Sequence, residues 1–318
     1  MIFVTGATGF IGRYLCERLL SDGFRVRGTF LESESPLSLP DGVEPSTIQP
    51  LGPDTKWTGA LAGVETVIHL AGRVHIMADN ADDPLTEFRR VNVDGTAQLA
   101  REAAKAGVKR FVFISSIKVN GEETKAPYTD GSPPMPSDPY GVSKWEAEEA
   151  LRRIEKKTGM EVAVVRPVLV YGPGVKANFL SMMKIVRRGI PLPFAGISNR
   201  RSLVYVGNMV DALVLCASHP AAAGQTWLIS DGEDVSTPEL VARMASALNV
   251  PARQLRCPYC LLDLAGRVTG RRDVIRRLSG SLSVDISKIR RELGWNPPFT
   301  MEDGLRETAG WYMRAGIN

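Results

Sequence analysis

Residues 2–12 read Ile2-Phe3-Val4-Thr5-Gly6-Ala7-Thr8-Gly9-Phe10-Ile11-Gly12: strand formers running straight into a turn with glycines at positions 6, 9 and 12. A helical pattern follows at once, so strand, turn and helix succeed one another without a break. Gly6 permits the tight turn, Gly9 lets a pyrophosphate approach the backbone, and Gly12 lets the helix pack close to the sheet. The helix N-terminus adds donors and partial positive charge for phosphates. This context predicts a dinucleotide site built from Gly6, Thr8, Gly9, Phe10, Ile11, Gly12 and Arg13.

Outward from this turn, short β-branched runs alternate with helical stretches. Strands are expected near 25–30, 66–70, 110–115 and 161–166, and helices near 9–22, 87–106 and 139–158. Right-handed crossovers turn such βαβ units into a Rossmann-type, doubly wound parallel sheet of the α/β class. After Tyr171 the pattern loosens through Gly172-Pro173-Gly174 and Gly189-Ile190-Pro191-Leu192-Pro193. Residues 1–171 are therefore expected to form the dinucleotide-binding domain. Residues 172–318 are expected to form mainly a smaller mixed α/β substrate lobe, interleaved with the last core strands.

The 318 residues are 44% hydrophobic and 23% charged, a composition that excludes disorder and fibre. Apolar runs are strand-length, well short of a bilayer span, and the N-terminus leaves no room for a leader, which implies a cytoplasmic protein. A net charge of +4 is too small for a dedicated nucleic-acid binder, although it suits anionic phosphorylated small molecules. Four cysteines do not make a disulfide framework. Cys257-Pro258-Tyr259-Cys260 has no second pair for zinc and opens an apolar run, so it reads as a strand-to-helix corner, and no metal is expected.

Ser115 and Ser116 end the strand near 110–115, and Tyr140 and Lys144 stand four apart, on one face of the following helix. An ammonium beside a phenol favours the phenolate, which predicts a lowered tyrosine pKa, and a serine hydroxyl can hold the substrate oxygen. The set suits acid–base chemistry for hydride transfer at a carbinol. The second strand lacks an acid at its end, where NAD sites usually place one for the ribose. Glu32 comes late, and Arg27 and Arg13 are placed to meet a 2′-phosphate, so the residues lean to NADP over NAD.

Together with His69-Leu70-Ala71-Gly72, Val91-Asn92-Val93-Asp94-Gly95-Thr96, Arg166-Pro167, Val170-Tyr171-Gly172-Pro173-Gly174 and Leu293-Gly294-Trp295, these motifs resemble the extended short-chain dehydrogenase/reductase family. That group comprises nucleotide-sugar epimerases, dehydratases and reductases, and the likeness covers nearly the whole chain. It implies catalysis by Ser116, Tyr140 and Lys144, with Lys144 also holding the nicotinamide ribose. It implies a cofactor cleft lined by Leu70, Ala71, Gly72, Asn92 and Ser115, with Pro167 where the nicotinamide packs. On the substrate side it implies diphosphate contacts from Asn178 and Arg201, with Arg276 a further candidate; guanidinium suits bidentate phosphate binding. His75 could face the sugar. Family members often form homodimers through the segments that correspond to 94–107 and 140–158.

Departures from the family pattern bear on the reaction. The acidic pair that dehydratases carry after the catalytic hydroxyl is Ile117-Lys118 here, and the usual aromatic of the next corner is Asn120. Gln49-Pro50-Leu51-Gly52 lacks the Gly-Asp that commonly contacts adenine. Weak cofactor anchoring favours exchange at every turnover, so the sequence leans to a 4-keto-6-deoxy-hexose(amine) 4-reductase using NADPH. A UDP-glucose or UDP-N-acetylglucosamine 4-epimerase is the alternative. A non-catalytic dinucleotide-sensing regulator stands further off, since such proteins usually lose the Tyr-Lys pair.

Overall fold

The computed structural model describes all residues except 58, 75–82, 271 and 318. The chain opens with β1 (Ile2–Thr5), α1 (Phe10–Ser21), β2 (Val26–Leu31), β3 (Glu44–Ile48) and β4 (Thr66–His69). Then come α2 (Pro84–Phe88), a π-helical stretch (Arg89–Gly95), α3 (Thr96–Lys105), β5 (Arg110–Ile114), α4 (Pro139–Thr158) and β6 (Glu161–Pro167). The second part contains β7 (Leu169–Tyr171), α5 (Ala177–Arg187), β8 (Arg201–Tyr205), α6 (Val206–Ser218), β9 (Thr226–Ile229), β10 (Asp234–Val235) and α7 (Thr237–Ala247). It ends with α8 (Tyr259–Val268), α9 (Arg272–Ser279), α10 (Ser287–Leu293) and α11 (Met301–Arg314).

Among the described residues, seven strands form one sheet in the order β3-β2-β1-β4-β5-β6-β9, every pair parallel. Apolar layers cover both faces, as a parallel sheet requires. β3 carries Pro45 and lies at an edge, where a missing ladder N–H is tolerated. β9 joins this core from beyond residue 172, and α6 packs on α1. A smaller sheet, β10-β8-β7, pairs β7 with β8 in parallel and β8 with β10 antiparallel. This is a Rossmann-like α/β fold with a smaller mixed sheet. No described helix is long and apolar enough to cross a membrane.

Strand order reverses between β1 and β4, and at such a switch point a cleft opens beyond the strand ends. Two side chains build its floor. Buried His69 places Nδ1 2.6 Å from Thr5 Oγ1 and Nε2 2.9 Å from Thr96 Oγ1, tying β4 to β1 and α3. Burial lowers its pKa to about 3, so the ring is neutral and serves as a brace. Thr5 Oγ1 also accepts from Ala71 N, which fixes the loop after β4. Against that loop lies Gly6, at φ +68°, where a Cβ would sit 2.9 Å from Ala71 N.

Gly12 is the tightest contact of the turn: a Cβ there would lie 2.1 Å from Gly6 O and 2.8 Å from Ala7 Cα. The close packing therefore runs between helix and turn. Gly12→Ala must displace backbone, and overpacking of this kind costs about 1–3 kcal/mol. Urea unfolding should register that loss; an unchanged midpoint would mean that α1 and the turn do not pack this closely.

Candidate active site

α4 carries two of the predicted residues, and its start is specified locally. Asp138 caps it by accepting from Gly141 N at 2.7 Å, and Pro139 occupies the first helical position. Lys118 pairs with Asp138 and, at 2.8 Å, with Glu122. The lysine that replaces the dehydratase acid thus ties the loop carrying Ser116 to the helix carrying Tyr140.

Ser116, Tyr140 and Lys144 come together at the end of β5. Ser116 stands close enough to Tyr140 to lower its pKa, and its Oγ accepts from Lys118 N at 3.2 Å. Lys144 Nζ donates to Ile114 O at 2.8 Å, lies 4.6 Å from the Phe113 ring centre and 5.9 Å from that of Tyr140. The expected lowering of the tyrosine pKa is overturned: burial pushes Tyr140 up to about 12, opposed by Ser116 and reinforced by Asp138. Sequence spacing brought the lysine near, but desolvation of the phenolate dominates at this separation. Burial also lowers Lys144 to about 8, while the Glu148 carboxylate holds it up.

Glu148, one turn beyond Lys144, is a residue that the sequence reading missed. Its fully buried carboxylate accepts from Ser115 Oγ at 2.5 Å and from Arg166 at 2.9 and 2.6 Å. Arg166 donates onward to Asn120 Oδ1 at 3.0 Å, which gives the buried asparagine its structural partner. Ser115 is buried, and its hydroxyl is committed to Glu148. Asn92 is likewise buried, accepting from Arg73 N and donating to Arg73 O and Ser143 Oγ, so it braces the cleft from behind. Pro167 is buried at the end of β6 beside Ile229, while Leu70, Ala71 and Gly72 are partly exposed in the loop after β4.

The nucleotide end differs from expectation at one strand. Arg27 points along the sheet edge to Glu44 and to the carbonyls of Ala60 and Ala62, so it is not available for a 2′-phosphate. Arg13 is exposed on α1. Glu32 is exposed, whereas Glu34 folds back to accept from Thr8 Oγ1 at 3.1 and 3.2 Å and from Leu31 N at 2.8 Å. An acid thus stands beside the glycine turn after all, brought there by a loop. Phe10 lies partly buried near Gly174, and Ile11 is partly buried beside it. Gly72 is bare where a Cβ would approach Asn92 Oδ1 and lie 3.6 Å from Lys144 Nζ. An exposed Gly9 and a carboxylate beside the turn fit a dinucleotide.

In the second lobe, Arg201 Nη1 donates to the carbonyls of Arg277 and Gly280 at 2.6 and 3.0 Å. Asn199 donates to Leu278 O and Gly280 O and closes the same loop onto β8. Beside it opens a cavity of about 390 Å³ lined by Glu123, Asn199, Tyr259, Leu262, Arg276 and Gly280, among others. Arg276 reaches the cavity but faces Glu123 at 3.2 Å and Glu122 at 3.8 Å. Asn178 is exposed in the first turn of α5, outside the cavity lining. His75 falls outside the described residues. No cluster of metal-ligating side chains occurs among the described residues.

A profile of the NAD dependent epimerase/dehydratase family matches residues 2–230. The chain belongs to that family. It is 44% identical to a UDP-glucose 4-epimerase of Vibrio cholerae, over 99% of this chain and 96% of the relative. It is 28% identical to an Escherichia coli O157:H7 N-acetyl-alpha-D-glucosaminyl-diphospho-ditrans,octacis-undecaprenol 4-epimerase, over 96% and 93%. The structure of MoeE5 in complex with UDP-glucose and NAD superposes with a TM-score of 0.77 at 26% identity, covering 99% of both chains. The chain is thus an enzyme of the short-chain dehydrogenase/reductase type, of an NAD-dependent, nucleotide-sugar class.

A pH profile tests the electrostatics. With a pKa near 8, the Lys144 ammonium is present below that pH and lost above it, so kcat/KM should fall on the alkaline side. Glu148→Gln removes the carboxylate that sustains the ammonium, and the alkaline limb should move to lower pH. Glu148→Asp should move it less, with thermal melts confirming that both variants fold. An unmoved limb in Glu148→Gln would disprove the coupling.

Proposed function

We propose that this chain is a UDP-hexose 4-epimerase that retains NAD through turnover. The observation that carries the reading is Glu34 beside Thr8. A carboxylate there suits the free 2′- and 3′-hydroxyls of an NAD ribose and repels a 2′-phosphate, and Arg27 is committed elsewhere. The Vibrio cholerae UDP-glucose 4-epimerase, at 44% identity, supports the same reading. An epimerase returns one hydride to one intermediate, so anchoring of the cofactor favours it over a reductase that must exchange. The 4-ketosugar reductase using NADPH, towards which the sequence leans, retains one observation: the segment after β3 lacks the usual adenine-contacting aspartate.

NAD, when bound, takes up and gives back the hydride of C4. Tyr140, once its own proton has passed to solvent and it stands as the phenolate near the Lys144 ammonium, would take the proton from O4 as the C4 hydride passes to NAD, leaving a 4-keto sugar. After the sugar presents its other face, Tyr140 returns the proton to O4 as the hydride re-adds. Ser116, beside the phenol, would hold O4 in line with it. Lys144 supplies the positive charge that offsets the cost of the phenolate, a cost that burial has raised. Arg201 would meet the diphosphate, Asn178 and Arg276 being the other candidates for that contact.

Denatured protein should release stoichiometric NAD, and native protein should interconvert UDP-glucose and UDP-galactose, or their N-acetyl counterparts, without added cofactor. Tyr140→Phe should lower turnover by about 10²–10⁴-fold while keeping its NAD. Empty protein that oxidises NADPH only with a UDP-4-keto sugar would establish the reductase instead.

A further inference from the structure

Residues 251–280 contain seven arginines and two aspartates, a net +5 against +4 for the whole chain. The same segment folds into α8 and α9, which cross closely: a Cβ at Gly266 would lie 2.8 Å from Ile275 Cδ1 and 3.0 Å from Arg272 Cα. That crossing closes one side of α8, and Leu262 is buried beneath it. On the outer side, Leu261, Leu264 and Val268 follow the i, i+3, i+7 spacing of one helical stripe and are 54%, 57% and 80% exposed. Tyr259 at the start of the helix is 53% exposed, and Leu255 just before it 59%. Arg253 and Arg256 before the helix and Arg267 and Arg272 on the hairpin are exposed, the last two sharing Asp263.

We propose that the α8–α9 hairpin docks this protein on an anionic lipid bilayer. An amphipathic helix that lies in a membrane interface combines an apolar stripe, an amphipathic aromatic and an arginine-rich flank, and these are the residues on this face. Contiguous apolar exposure of this kind needs a covering surface. A second copy of the chain fits poorly: a two-fold contact sets the patch against itself and opposes arginine to arginine. A negatively charged, apolar-cored surface matches both features at once. The hairpin is also continuous with the substrate lobe, since Tyr259 and Leu262 of α8 and Arg276 of α9 line the 390 Å³ cavity. Docking would therefore bring the mouth of that cavity to the membrane plane. The inference stands on the hairpin alone and holds whichever C4 reaction the enzyme runs.

The test is co-sedimentation of the full-length protein with sucrose-loaded vesicles of equimolar phosphatidylglycerol and phosphatidylcholine, against phosphatidylcholine alone. Wild type should partition at least about tenfold better to the anionic vesicles, and 0.5 M salt should reverse this. Leu261→Gln/Leu264→Gln/Val268→Gln should lose about tenfold in partitioning, with sugar-nucleotide turnover and solution mass unchanged. Val268→Gln alone, at the most exposed position, should lose part of it without any question of folding. No binding by wild type, equal binding by the stripe variants, or a dimer that these substitutions dissociate would each overturn the proposal, the last by showing that a second copy covers the face.

Discussion

A single buried carboxylate holds this active site in register. Glu148 sits without solvent between α4, the end of β5 and β6, and satisfies Ser115 and Arg166 together. An isolated charge in such a place is prohibitive, whereas one that is paired and fully hydrogen-bonded is tolerated because every partner is fixed. Arg166 carries the constraint to Asn120, and Asn120 to the carbonyl of Ser132. The loop bearing Ser116 is thus pinned at both ends to the helix bearing Tyr140 and Lys144. Lys118 adds a second clasp at the helix N-terminus through Asp138. Precise placement of acid and base comes from this scaffold of charges behind the reacting groups.

The same burial that fixes the groups also tunes them. Phenol, ammonium and imidazole all shift toward their neutral forms: Tyr140 up to about 12, Lys144 down to about 8, His69 down to about 3. Desolvation is the common cause, and the opposing terms are local. Ser116 works against it at Tyr140 and Glu148 at Lys144. The site consequently holds a neutral phenol and a cation close to its titration point, so the charge on Lys144 governs how readily the phenol gives up its proton.

What was legible in the sequence was what short-range physics encodes. α4 spans the expected 139–158 because Pro139 starts it and Gly159, at φ +75°, ends it. The glycine turn and β1, β2, β4, β5 and β6 follow from local pattern in the same way, whereas β3, a short edge strand carrying Pro45, was not among the expected strands. The expected helix over 87–106 instead divides at a π-helical stretch, in which Asn92 reaches the backbone of Arg73 and the Ser143 hydroxyl, a long-range contact that no periodicity reports. Ser115 and Ser116 are adjacent in sequence yet face opposite ways, as the alternation of a strand dictates. That alternation, applied to β5, was the available signal for Ser115. Arg27 and Glu34 escaped because cross-strand pairing and loop return decide them. Arg27 lies across from Glu44 in the β2–β3 register, and Glu34 returns to Thr8 from beyond the strand end.

The two parts of the chain divide rigidity unequally. The chemistry sits at strand ends and on one well-capped helix, where a few buried charges determine every rotamer. The second lobe relies on a loop, residues 277–280, which is held to β8 by Arg201 and Asn199. A guanidinium already carrying two carbonyls cannot swing freely, so any anion it meets finds it in place, with its ordering cost met during folding. If Arg201 makes the proposed diphosphate contact, substrate recognition and closure of that loop depend on the same side chain. Changes in the loop between related enzymes would then alter the nucleotide sugar accepted while leaving the proton-transfer set around Tyr140 undisturbed.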